Sequence, residues 1–220
     1  LLNRGKREKD DATLVLFEDG EFSLIELPDQ LKSFKNTVIG NTSYFLNYWC
    51  DIDEKGIVNL VYLDTLYRFT DLGKIVNKVS LSNICTNCYN ICFRYTPENK
   101  MVLAINWQIF VLDEEQNKFV PHPANRFLKQ AKIKLHRFII DKNGGIWACG
   151  SDRNLLYYDA AHDTLYDYHA ELKRLLKSAN DFKGLYEDHS GVVWIATRLG
   201  LLKVIPQPYP FETYLTQLNK

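Results

Sequence analysis

Short apolar runs alternate with polar turns along almost the whole chain. Leu66-Tyr-Arg-Phe69, Ile109-Phe-Val-Leu112, Leu155-Leu-Tyr-Tyr158 and Leu201-Leu-Lys-Val204 are four residues each, and the longest pure runs, such as Val192 to Ala196, have strand length. Runs of this size, rich in β-branched and aromatic residues and bounded by Asp, Asn and Gly, predict strands joined by tight turns. Further short strands are predicted at Lys74-Ile-Val76, Lys118-Phe-Val120, Thr164-Leu-Tyr166 and Phe211-Glu-Thr-Tyr214, and two more within residues 14–26. Two connections break the rhythm. Residues 122–134 are polar with Pro121 and Pro123 at the start, whereas residues 169–182 carry Leu172, Leu175, Leu176 and Ala179 at helical spacing, which predicts two or three helical turns or an irregular loop.

The pattern also repeats at long range. Asp141-Lys-Asn-Gly144-Gly-Ile146-Trp147 and Asp188-His-Ser-Gly191-Val-Val193-Trp194 share the form D-x-x-G-x-[IV]-W and lie 47 residues apart. A weaker copy, Asp53-Glu-Lys-Gly56-Ile-Val58-Asn59, lies 88 residues before Asp141, which is twice 44 and puts a degenerate copy near position 97, at Pro97-Glu-Asn-Lys100-Met-Val102-Leu103. Asp accepts hydrogen bonds from backbone amides just ahead of it, and Gly supplies the positive φ of a tight hairpin. The Ile/Val and Trp that follow face opposite sides of a sheet, so Trp fills the wedge toward a neighbouring sheet, and Asn59 and Leu103 imply differently filled wedges. Four short strands in about 44 residues is the content of a β-propeller blade. The expected fold is therefore all-β: a propeller segment of four four-stranded blades (about 41–80, 81–122, 123–168 and 169–220) preceded by a partial blade in 1–40, together making residues 1–220 one domain.

The run Gly184-Leu-Tyr-Glu-Asp188-His-Ser-Gly191-Val-Val-Trp194-Ile-Ala-Thr197-Arg-Leu-Gly200-Leu-Leu-Lys203 resembles the two-component regulator propeller repeat. Residues 141–158 resemble a second copy that lacks the counterparts of Thr197 and Gly200. The resemblance implies the extracytoplasmic, periplasmic sensor region of a bacterial hybrid two-component system histidine kinase anchored in the inner membrane. In that family propellers of about seven blades precede a β-sandwich, a membrane helix and the kinase. It also implies recognition of polysaccharide-derived oligosaccharides, contact with the remaining blades and sensor domains, and a dimeric parent protein. A single Met, a first residue of Leu and a next turn falling near position 235 suggest a piece of a larger propeller.

Composition narrows the alternatives. Hydrophobic residues make up 46% and charged residues 25%, the balance of a globular protein. Lys plus Arg (27) cancels Asp plus Glu (27), so no net field favours nucleic acid. No apolar run approaches the roughly 20 residues of a membrane helix, and the start shows no signal-peptide pattern. Nucleophile-elbow, P-loop, dinucleotide and H-E-x-x-H motifs are all missing, and His122, His136, His162, His169 and His189 form no metal-ligand spacing. The expectation is no catalytic residue, no cofactor and no metal in this chain; a protein-interaction propeller and part of a glycoside-acting propeller enzyme are the alternatives.

Five cysteines exclude a complete intramolecular disulfide framework. Cys85-Thr-Asn-Cys88-Tyr-Asn-Ile-Cys92 admits a bridge from Cys85 to Cys88 or Cys92, a metal site short of ligands, or small apolar residues beside a strand. Arg94 interrupts a strand three residues before position 97, in the slot of Cys50, Phe138 and Leu185. It is a candidate ligand contact in the central channel, with a register shift or an ion pair as the plainer readings. Trp107 and Arg137 are the other candidates for contact with a sugar, with Trp49 treated alike.

Overall fold

Four times along the chain, a strand runs into a turn whose first residue ties up the amides ahead of it. Asp53 Oδ1 accepts from Lys55 N (3.0 Å) and Ile57 N (2.9 Å), Asp141 Oδ1 from Asn143 N (2.9 Å) and Gly145 N (2.8 Å), and Asp188 Oδ1 from Ser190 N (2.9 Å) and Val192 N (3.1 Å). In the second copy a hydroxyl does the work, with Lys100 N donating to Thr96 Oγ1 at 3.2 Å. The same backbone pair closes every turn, including Gly144 N to Asp141 O and Asn99 N to Thr96 O. The donor residue needs a left-handed backbone, with φ of 74° at Gly56, 61° at Asn99, 80° at Gly144 and 84° at Gly191.

Thr96 thus corrects the sequence reading by one residue: the degenerate turn begins at 96, not 97, and Asn99 rather than Lys100 takes the glycine position. Asn tolerates the left-handed region better than any other residue with a Cβ, which is why the copy survives without Asp or Gly. The residue in the Trp position of that copy is accordingly Val102, not Leu103.

These coordinates are a computed structural model that describes residues 14–18, 21–32, 49–86, 88, 90–130, 132–150, 155–175, 182–198, 200–205 and 211–212. The chain divides into two compact units, residues 1–89 and 90–220. In the first unit, β1 (Leu14–Glu18) pairs antiparallel with β2 (Glu21–Ile25), and α1 (Asp29–Lys32) follows. A second sheet is the meander β3 (Trp49–Ile52), β4 (Val58–Tyr62), β5 (Thr65–Phe69) and β6 (Ile75–Ser80). Ile25, Leu27 and Leu31 pack on Val58, Leu60 and Phe69, all buried. Each such side chain contributes about 1.5–3 kcal/mol when fully buried. Beyond β6, Cys85 and Cys88 form a disulfide with Cα atoms 5.5 Å apart, leaving Cys50, Cys92 and Cys149 as free thiols.

The second unit holds three four-stranded antiparallel meanders. The first is β7 (Cys92–Tyr95), β8 (Met101–Ile105), β9 (Gln108–Asp113) and β10 (Lys118–Pro121). After α2 (Asn125–Gln130) comes β11 (Leu135–Ile140), β12 (Ile146–Gly150), β13 (Leu155–Asp159) and β14 (Thr164–Asp167). After α3 (His169–Leu175) comes β15 (Phe182–Glu187), β16 (Val193–Thr197), β17 (Gly200–Val204) and β18 (Phe211–Glu212). Of the helical turns expected after residue 169, α3 supplies residues 169–175 with Leu172 buried, while Leu176 and Ala179 lie outside the described residues; the helix α2 carries no apolar periodicity beyond Leu128 and was not legible.

Strand alternation divides the middle sheet between two cores. Phe138, Ala148 and Leu156 face Val102, Ala104 and Ile109 of the preceding sheet, while Ile139, Trp147 and Leu155 face Val193, Ile195, Leu202 and Val204 of the next. Because both faces are buried, these strands lack the apolar-polar alternation of a surface sheet. The first strands of the three sheets lie side by side, β7 next to β11 and β11 next to β15.

Candidate inner-strand mouth

At their far ends the inner strands share a well-filled floor. Glu187 reaches back to accept a hydrogen bond from Lys142 N at 2.8 Å, and burial pushes its carboxyl above the usual range. Arg94 belongs to this half. Its Nε donates to Phe138 O at 3.0 Å and its Nη1 to Phe93 O at 2.6 Å, with the guanidinium 5.8 Å from the Phe138 ring centre. Arg94 therefore clips β7 to β11 through two backbone carbonyls. With the turn anchored at Thr96, Phe93 opposite Leu103 takes the slot of Phe138 and Leu185, so a register shift explains the misplaced charge.

The opposite, starting ends of the inner strands are built differently. Both β11 and β15 carry a bulge, between Leu135 and Arg137 in one and between Phe182 and Gly184 in the other. The extra residues are His136 and Lys183, each five positions before its turn Asp. A bulge leaves one residue out of the ladder and re-aims its side chain. His136, Arg137 and Lys183 are all exposed. The hairpin joining β8 and β9 comes up at this same end, with Asn106 at φ 48° and Trp107 at φ 66°. Lys134 Nζ sits 4.9 Å from the Trp107 ring centre, a cation–π distance. Trp107 itself packs partly against the core between the first two sheets of this unit.

Among the three sequence candidates, Trp107 and Arg137 therefore share one end and Arg94 lies at the other. Sequence reading missed His136, Lys183 and Lys134. The signal was available as phase: His136 and Lys183 hold the same position relative to Asp141 and Asp188. Trp49 lies in β3 of the other unit and its side chain is outside the described residues. Cys149, opposite Arg137, has its thiol pushed up to about 11 by burial even though the nearby Arg137 charge pulls the other way. A buried, protonated thiol of this kind is inert.

A cavity of about 500 Å³ elsewhere in this unit is lined by Phe127, Gln130, Asp163, Thr164 and Leu165. Its carboxylate is already engaged, by the Tyr158 hydroxyl at 2.8 Å and by Arg126, and these partners hold it below the usual carboxylate range. A cavity of about 700 Å³ in the first unit is lined by Ile25, Thr70, Asp71 and the turn at Asp53. No group of His, Cys, Asp and Glu that would hold a metal ion occurs among the described residues, and no described helix is long and apolar enough to cross a membrane.

No protein-family model matches the chain, and no curated protein matches it in sequence. Solved structures do. YCF48, solved bound to D1 peptide, superposes with a TM-score of 0.52 at 17% identity, over 87% of this chain and 58% of that one. An extracellular domain assigned to a hybrid two component system of B. thetaiotaomicron superposes with a TM-score of 0.52 at 18% identity, over 93% of this chain and 29% of that one. The fold is a β-propeller segment. The chain spans less than two thirds of either protein, and at these identities the likeness is one of fold. The four-stranded sheets are its blades, and the exposed bulges lie on blade-inner strands, which border the central channel in this architecture.

Proposed function

We propose that this chain is the ligand-recognising part of an extracytoplasmic sensor of the hybrid two-component type, which grips an oligosaccharide non-covalently and releases it unchanged. The observation that carries the reading is the mouth formed by two in-phase bulges. It puts the exposed Arg137, Lys183 and His136 at the same end of the blades as the Trp107 hairpin, polar and aromatic side chains of the kinds that suit sugar hydroxyls and ring faces. Glycoside hydrolysis needs two carboxyl groups flanking the bond. The repeated carboxylates Asp53, Asp141 and Asp188 are instead taken up by turn amides, in the second unit at the opposite end from the mouth. The sensor-region resemblance of residues 184–203 supports the same reading, and with it a dimeric, membrane-anchored histidine kinase as the parent protein with further blades and sensor domains. Calorimetry against a glycan panel tests it, with each mixture chromatographed afterwards. Saturable binding with unaltered glycan is expected, whereas turnover of any glycan would replace the sensor with an enzyme.

A further inference from the structure

Both seams between blades in the second unit are made from the same two faces. Counted from the turn residue, the fifth and seventh positions of a blade face its predecessor. Ile146 and Ala148 pack on Val102 and Ala104, and Val193 and Ile195 pack on Trp147. On the predecessor's side of the last seam stand Ile139, Trp147 and Leu155, all buried. By register, the last blade places Tyr186, Trp194 and Leu201 at those three positions. Tyr186 is 63% exposed, Leu201 45% exposed and Trp194 half-buried, so this Trp half of a seam faces solvent.

The blade of the first unit holds the other half, and a strap lies on it. Val58 and Leu60 are the fifth and seventh positions after Asp53. Phe69 and Tyr67 stand opposite them, as Val204 and Leu202 stand opposite Val193 and Ile195. The residues packed on this face are Ile25, Leu27 and Leu31, from the end of β2, the loop after it and α1. They are not a sheet face, because β2 buries Ile25 alone and exposes Glu21, Phe22, Ser23 and Leu24. Glu26 N donates to Asp71 O at 2.8 Å, and a Cβ at Gly73 would stand only 3.0 Å from Glu26 O, so glycine lets the strap come down on the outer hairpin. The strap fills the face incompletely: a cavity of about 700 Å³ is left between Ile25 and the blade residues Ile52, Ile57 and Val58.

We propose that residues 25–31 are a displaceable strap over a blade-docking face, and that the occupant they exclude is the Tyr186, Trp194 and Leu201 face of a second copy of this chain. In that contact Val58, Leu60, Tyr67 and Phe69 meet the Trp face as Val193, Ile195, Leu202 and Val204 meet Ile139, Trp147 and Leu155, so it repeats a seam the chain already makes. The two faces differ, which makes the association head-to-tail. Tyr and Trp are the residue types that carry such interfaces, and a whole sheet takes more apolar area out of water than three strap side chains do. Sugar recognition plays no part in this contact.

The experiment is sedimentation velocity of the 220-residue chain across about 1 to 100 µM, the affinity range of a modest interface. The parent is expected to stay monomeric, because its strap is in place. Leu27→Asp with Leu31→Asp puts charge beneath the strap and should release it, raising the associated fraction about ten-fold or more while circular dichroism stays that of the parent. Adding Tyr186→Glu and Leu201→Glu should return this variant to the monomer. Mixed with the parent, the four-fold variant should form a one-to-one complex and nothing larger, since each partner then offers one face of the seam. A folded strap variant that stays monomeric would overturn the proposal. So would oligomers that survive the Glu pair, or a parent already oligomeric through Tyr186 and Leu201. Should the Asp pair unfold the chain, hydrogen exchange on the parent decides. The Glu26 and Leu31 amides should then exchange about ten-fold or more faster than those of Leu60 and Val61 in β4, and equal rates would make the strap a fixed part of the core.

Discussion

The two ends of the same blades obey different rules. At the turn end, Asp53, Asp141 and Asp188 stand in a repeated motif and look like chemistry, yet each spends one oxygen on two amides. The second oxygen is taken by whatever the blade supplies: Arg68 Nη2 at 3.4 Å, the Tyr157 hydroxyl, and Trp194 Nε1 at 2.8 Å. At the mouth end no motif is visible, and two unremarked residues, His136 and Lys183, are pushed out by bulges. Repetition therefore marks the residues that build the blade, and the candidate site lies where the ladder is interrupted in the same phase twice.

The turn end also shows how one code gives unequal burial. Trp147 is 1% exposed, stacked 4.5 Å from Tyr157 and covered by Val193, Ile195, Leu202 and Val204 of the next blade. Its Nε1 finds no acceptor among the described residues, because Tyr157 claims Asp141. Trp194 has Lys203 where Trp147 has Tyr157, so its indole N–H is left to reach Asp188, and it is only half-buried.

The largest expected effect of a single change is therefore Trp147→Ala, which should cost about 3–5 kcal/mol, the loss for a large buried aromatic. Urea midpoints measure it. A cost under about 1 kcal/mol would mean that the next blade does not cover the indole. Trp194→Ala should cost less, about 1–2 kcal/mol, from partial burial and one hydrogen bond. Equal costs at the two positions would erase the contrast between the blades.

Much of this was legible in the sequence. The D-x-x-G-x-[IV]-W form gave the turns because one carboxylate and one positive φ suffice to make them. The four-strand unit followed from spacing. What stayed hidden had physical causes. Thr96 and Asn99 perform the turn with other letters, which moved the second blade by one residue and made Arg94 look like a site. Bulges leave no composition signal, since any residue is accepted where the ladder is skipped, so nothing in the letters singles out His136 and Lys183.

Asp141→Ala falls between the two Trp changes, at about 2–3 kcal/mol, because two amides lose their acceptor at a buried position. Thr96→Ala should cost about 0.5–1 kcal/mol, since a hydroxyl there serves one amide. A Thr96 effect larger than that of Asp141 would show the second turn to be held in another way.

Acid titration probes the same end. The Ser190 hydroxyl and the Trp194 indole, with backbone amides, hold the Asp188 carboxyl well below the usual carboxylate range. A depressed folded-state value adds stability above the unfolded carboxyl value of about 3.9, and the contribution is lost as pH falls below it. Stability of Asp188→Asn should therefore fall less than that of the parent between about pH 4 and 2. Identical acid curves would mean that the carboxylate is not held in this way. The smallest effects belong to the mouth, where His136→Gln and Lys183→Gln should shift stability by less than about 0.5 kcal/mol. A shift of 2 kcal/mol or more would make the bulged residues structural.

The decisive measurement is hydrogen exchange on the 220-residue chain with and without a saturating concentration of a glycan that binds in the calorimetric panel. Slowed exchange should be concentrated at residues 106–108, 132–137 and 182–185, with the turns at 53–57, 141–145 and 188–192 unchanged. Protection confined to the cavity beside Phe127 and Asp163, or to the turn end, would contradict the claim that the bulged inner strands form the site.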